Sequence, residues 1–135
     1  MSRLIWHLSS NRWNSAITEY AISAARATKG LGYNVHFLAL KGSPGERRAK
    51  EHVPTTGFAS FSVSGLTRLL SLARTERPAA IICYGGQETV LAKLIAGMIG
   101  CPLIRFRGQS IPQIGALARW RQRSAMAGVS LVLTP

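Results

Sequence analysis

Short apolar runs recur along this chain, and between them the apolar residues fall into helical spacing. That alternation constrains the fold more than any other feature. LIWHL (4–8), YNVHFLAL (33–40), GFASFSV (57–63), AAIIC (79–83), PLIRF (102–106) and SLVLT (130–134) read as strands, the third more weakly than the rest. After the first, Ile17, Tyr20, Ala21, Ala24, Ala25 and Thr28 follow the spacing of an amphipathic helix that Gly30 and Gly32 stop. KGSPGERRAK (41–50) breaks through Gly and Pro into a short basic helix. Over 65–75, Leu66, Leu69, Leu70 and Ala73 mark an inward face opposite Arg68 and Arg74, and Pro78 ends the helix. Val90, Leu91, Leu94, Ile95, Met98 and Ile99 mark the next, ended by Gly100 and Pro102, and a further helix runs to about Ala127. Strands alternating with helices build a parallel sheet with crossovers on both faces. The expectation is α/β: a Rossmann-like parallel sheet of about six strands.

The size, 135 residues at 47% hydrophobic, suits a single domain over 1–135. Seventeen Lys and Arg face five acids, all of them Glu, for a net charge of +12. Such a surface fits an anionic partner: nucleic acid, a phosphorylated substrate or anionic lipid. The chain has no Asp, which removes phospho-accepting receivers, Asp-dependent hydrolases and acidic Mg pairs. The dinucleotide fingerprint G-x-G-x-x-G and the phosphate loop G-x-x-x-x-G-K-[ST] are both missing. Cys83 and Cys101 lack metal-ligand spacing and read as buried free thiols of a cytosolic protein; no metal is expected. The longest uncharged apolar stretch, 94–104, is too short for a bilayer span, and the start lacks a signal-peptide apolar region. Because the sequence stops directly after SLVLT, the expectation is one domain of a longer protein, cut before a second domain.

Open parallel sheets bind ligands at the C-terminal ends of their strands, so the loops after each strand carry the candidate residues. In SSNRWNSAITEY (9–20), Asn14 and Ser15 precede a helix whose free N–H groups face the cleft; the plain alternative is an N-cap. Glu19 is expected in the second turn, as a partner of the helix start or a sugar-hydroxyl contact. In CYGGQE (83–88), Gly85 and Gly86 let a ligand approach the backbone and Gln87 and Glu88 offer hydrogen bonds; a tight turn with Glu88 as dipole partner is the alternative. In IRFRGQS (104–110), Arg105 and Arg107 share a strand face and suit phosphate or carboxylate, or else bridge Glu19 or Glu88 beneath the loops. Trp120 among Arg119, Arg121 and Arg123 is either solvated surface or a patch for peripheral contact with an anionic membrane.

Taken in order, these segments resemble the N-terminal domain of bacterial family-4 glycosyltransferases of the GT-B fold. The match runs through the first loop and Glu19, GYNV (32–35) at the turn into the second strand, RPAAIICYGG (77–86), PLIRFRGQS (102–110) and GVSLVLTP (128–135). The resemblance implies one half of a GT-B fold that takes part in moving a sugar from a nucleotide-sugar donor to a cell-envelope glycan or glycolipid, such as lipopolysaccharide. It also implies a cytoplasmic location, at most peripheral to the inner face of the plasma membrane, and a nucleotide site in a C-terminal domain outside this chain, without which the fragment is inactive. Tyr84 joins the substrate-binding set on the same ground. The family's paired glycines are replaced by Asn14 and Ser15, and its His falls at Tyr84 or Gly85, so no catalytic residue is assigned. The competing class is a non-enzymatic Rossmann-like module for nucleic acid or another polyanion; sparse aromatics among scattered arginines count against nucleic acid.

Overall fold

The structure is a computed structural model that describes residues 3–106 and 131–133. Along the chain come β1 (Leu4–Ser9), α1 (Ala16–Gly30), β2 (Asn34–Leu40), α2 (Pro44–Lys50), β3 (Thr55–Phe58), α3 (Val63–Glu76), β4 (Ala80–Cys83), α4 (Gly86–Ile99), β5 (Leu103–Phe106) and β6 (Leu131–Leu133). The strands lie in the order β3-β2-β1-β4-β5-β6, every pairing parallel. Five of them belong to the continuous stretch 3–106, and the short β6 adds an edge beside β5. The helix expected to end near Ala127 lies outside the described residues.

Side-chain alternation along the strands divides the core between two faces. Trp6, Leu8, Leu38 and Leu40 pack with Leu69 and Ala73 of α3 and Leu91, Ala92 and Ile95 of α4. Val35, Phe37 and Ala39 point the other way, to Ala21, Ile22 and Ala25 of α1 and Ala49 of α2. The sheet is thus covered on both faces, as the near-continuous apolar runs of β2 and β4 require.

Two local expectations shift. The third strand begins earlier and ends at Phe58, because Phe58 and Phe61 are both buried and meet at 5.7 Å, three residues apart, while Ser62 opens α3. α4 starts at Gly86, with Glu88 in its first turn, as the reading of CYGGQE as a strand end opening through two glycines into a helix expects. Cys83 is buried, but Cys101 is only partly so.

Helix ends follow backbone chemistry. α1 closes through Gly32 at φ 96° and α4 through Gly100 at φ 74°, both in the left-handed region that glycine enters without steric cost. Ser43 caps α2 by accepting from the Glu46 N–H at 3.2 Å, with Pro44 in the first turn.

Candidate functional site

In a sheet ordered β3-β2-β1-β4-β5-β6, the chain reverses its direction of travel between β1 and β4. The two helices that follow these strands therefore diverge to opposite faces and leave a crevice above the strand ends. A cleft of about 540 Å³ occupies that place, formed by the loop after β1 and the start of α4.

The loop after β1 is held by its own bonds. Asn11 Nδ2 donates to Ser15 Oγ at 2.5 Å and to Thr18 Oγ1 at 2.9 Å, while Thr18 Oγ1 donates to the Trp13 carbonyl at 2.7 Å. Ser15 is the N-cap residue of α1, yet its side chain caps nothing; Gly85, the N-cap of α4, has no side chain to offer. Two helix starts without a side-chain cap thus flank one cleft, each with unsatisfied N–H groups and a positive dipole end. Trp13 stands at the cleft with 74% of its surface exposed.

Glu88 is fully buried in the first turn of α4 and forms part of the cleft lining. Ser10 Oγ donates to its Oε2, and its Oε1 has no hydrogen-bond partner among the described residues. Arg105 Nη1 donates to the Gly85 carbonyl and, at 2.8 Å, to Thr89 Oγ1, so the guanidinium braces the start of α4 from β5. Thr89 Oγ1 also meets Cys83 Sγ at 3.2 Å, and burial pushes the Cys83 thiol up from its ordinary value.

Behind the cleft, the buried Tyr84 hydroxyl and His7 Nδ1 share a 2.7 Å hydrogen bond, the rings stacked at 6.0 Å. Burial lowers the His7 pKa to about 4 and raises that of Tyr84, so both are neutral near pH 7. Tyr84 continues through Phe106 to Tyr20, with ring centroids 5.6 and 5.4 Å apart.

Of the residues expected from sequence, Ser15, Tyr84, Gly85, Gln87 and Glu88 line the cleft together. Asn14 and Glu19 lie to one side, where Arg48 donates to Asn14 Oδ1 at 2.7 Å and to both Glu19 oxygens, one at 2.9 Å. That bond holds the Glu19 carboxyl below its ordinary range, and Glu19 sits in the first turn of α1, not the second. Gly86 is exposed in the first turn of α4 and Arg105 faces the backbone of that turn; neither lines the cleft. Arg107 lies outside the described residues. Sequence reasoning left Ser10, Asn11, Arg12 and Trp13 out of the candidate set although all four stand in the quoted loop. Among the described residues no three His, Cys or Glu side chains converge as a metal ligand set, and no helix is long and apolar enough to cross a membrane.

No protein-family model matches the sequence. Solved structures share its architecture at low identity. MurG of Acinetobacter baumannii superposes with a TM-score of 0.78 at 12% identity, over 98% of this chain and 41% of that one. Anabaena Alr3699/HepE in complex with UDP and glucose gives 0.75 at 13%, over 96% and 37%. The glycosyltransferase VinC in complex with dTDP gives 0.63 at 12%, over 98% and 49%. The chain therefore spans less than half the length of each. At these identities the likeness establishes the fold: a Rossmann-like α/β domain of the kind found in glycosyltransferases such as VinC.

Proposed function

We propose that the chain is the acceptor-side Rossmann-like domain of a glycosyltransferase that moves a sugar from a nucleotide-sugar donor to a glycan or glycolipid acceptor of the bacterial cell envelope. The observation that carries this reading is the cleft between the ends of β1 and β4. It joins two helix starts without side-chain caps to hydroxyl, amide and carboxylate groups and an exposed Trp13, in a fold shared with a structure that holds UDP and glucose. Ser15, Gly85 and Gln87 bring backbone and amide donors to the bound substrates, and Tyr84 supplies an apolar wall with its hydroxyl turned to His7.

In the reaction, an acceptor hydroxyl attacks the anomeric carbon of the donor as the bond to the nucleoside diphosphate breaks, and the hydroxyl proton leaves with the diphosphate. The negative charge that develops on the departing diphosphate falls to the second domain to stabilise, and on this reading no metal is needed. The donor's nucleotide is held by a second domain, and the work is done in the cytoplasm at the inner face of the membrane. Nucleic acid is not a partner on this reading, since the cleft carries a buried carboxylate and its exposed aromatic is a single Trp13.

The test is transfer of a labelled sugar from a panel of UDP-, dTDP- and GDP-sugars into envelope extracts by the protein encoded by the full reading frame. Donor-dependent labelling of a glycan or lipid is the expected result. A folded protein that consumes none of the donors contradicts the proposal.

A further inference from the structure

Two buried side-chain atoms among the described residues lack a hydrogen-bond partner: His7 Nε2 and Glu88 Oε1. A buried polar atom without a partner is costly, and a carboxylate oxygen more so than a neutral one. His7 sits behind Tyr84 in the core, where its ring is neutral. Glu88 is different, because it lines the cleft and its other oxygen is pinned by Ser10.

We propose that Glu88 is a specificity-determining residue of this cleft, its Oε1 accepting a hydrogen bond from a hydroxyl of an uncharged glycosyl unit that lies against Trp13. The reaction this unit enters rests on the glycosyltransferase reading above; the recognition is carried by the cleft itself. A carboxyl oxygen left without a donor calls for a ligand that donates. A phosphodiester or diphosphate linkage carries no proton near neutral pH and offers only acceptors. A ligand ammonium is opposed by Arg12 in the same lining and by the net charge of +12. A sugar hydroxyl donates without adding charge, and a ring with one apolar face packs on an exposed indole. Trp13, 74% exposed at the cleft, offers that surface. Gly85 leaves the carboxylate its place beside the cleft, since a Cβ there would lie 2.7 Å from both Glu88 oxygens. A site built to bond a hydroxyl rejects the analogue that lacks it, because the buried acceptor is then left unpaired.

The experiment titrates the folded protein with methyl glycosides of neutral hexoses and N-acetylhexosamines, their monodeoxy analogues, and inorganic pyrophosphate, followed by Trp fluorescence and amide chemical shifts. At least one glycoside is expected to shift residues 9–15 and 84–88, and pyrophosphate should not displace it. One monodeoxy form, Glu88→Gln and Trp13→Ala should each weaken it about tenfold or more. Trp13→Ala changes an exposed residue and keeps the test valid if Glu88→Gln fails to fold, as does Ser10→Ala, which frees the carboxylate from its anchor. The proposal is overturned if no glycoside in the panel binds, if the deoxy analogues bind equally, or if pyrophosphate takes the cleft. Transfer activity separates the two readings. Unchanged acceptor KM in Glu88→Gln removes Glu88 and leaves the transferase, whereas Glu88-dependent glycoside binding without any transfer supports Glu88 and removes the transferase.

Discussion

Gly85 lies directly against the carboxylate of Glu88: a Cβ at position 85 would stand 2.7 Å from each of its oxygens and 3.0 Å from its Cδ. The backbone at Gly85 is extended, φ −135° and ψ 172°, so glycine is required there by space and not by dihedral strain. Glu88 has no room to give way, being fully buried and bonded to Ser10. Gly85→Ala is therefore expected to destabilise the fold by roughly 1–3 kcal/mol, the usual range for overpacking. In a domain of this size that lowers the melting temperature by about 3–5 °C per kcal/mol. Calorimetry checks it, and an unchanged melting temperature would mean the carboxylate sits elsewhere.

Gly57 poses the same constraint beneath α2. A Cβ there would overlap Glu46 Oε2 and lie 3.1 Å from the Lys41 Cα. Glu46 is buried and accepts from the Gly42 N–H at 2.9 Å, tying α2 to the turn after β2. Gly57→Ala is expected to displace that carboxylate and cost roughly 1–3 kcal/mol, read as a lower urea midpoint with the slope unchanged.

Arg105 is expected to matter for folding more than for ligand affinity. Its guanidinium bonds the Gly85 carbonyl and Thr89 Oγ1. Replacing it by Leu removes charged-donor bonds each worth roughly 1.5–3 kcal/mol and should lower the urea midpoint accordingly. Glycoside affinity of the molecules that remain folded should stay within about twofold. A stable Arg105→Leu protein with weakened anion binding would return this arginine to the ligand.

Much of this was legible in the sequence. The runs at LIWHL, YNVHFLAL, AAIIC and PLIRF gave their strands away because a sheet covered on both faces needs apolar residues at nearly every position. The loops at 9–15 and 84–87 were found by the rule that parallel sheets bind ligands at their strand ends. What stayed hidden depends on contacts distant in sequence. Nothing local distinguishes Glu88 as a buried carboxylate from a solvated first-turn acid until Ser10, 78 residues away, is placed against it. The role of His7 is equally hidden, because Tyr84, its partner, is 77 residues off. Glu19 and Asn14 looked free for a ligand only until Arg48 was seen to take both.

His7 makes stability depend on pH in a defined direction. Burial lowers its pKa from 6.5 to about 4, so the folded state binds fewer protons than the unfolded chain between these values. Its favourable contribution is complete above pH 6.5 and is lost as the pH falls toward 4, by about 3 kcal/mol in all. Urea unfolding at pH 7.0 and 5.0 should show the loss in the wild type and a smaller one in His7→Gln, which cannot titrate. Equal losses in the two proteins would place the acid sensitivity in the carboxylates.

Transfer kinetics of the full-reading-frame protein decide whether the cleft between β1 and β4 serves the acceptor. With donor and acceptor varied independently, Trp13→Ala should raise the acceptor KM about tenfold while leaving the donor KM within about twofold, since the proposal sets this exposed cleft residue against the acceptor and loss of uniform binding to one substrate raises that KM alone. A raised donor KM with the acceptor KM unchanged would contradict the assignment of this cleft to the acceptor.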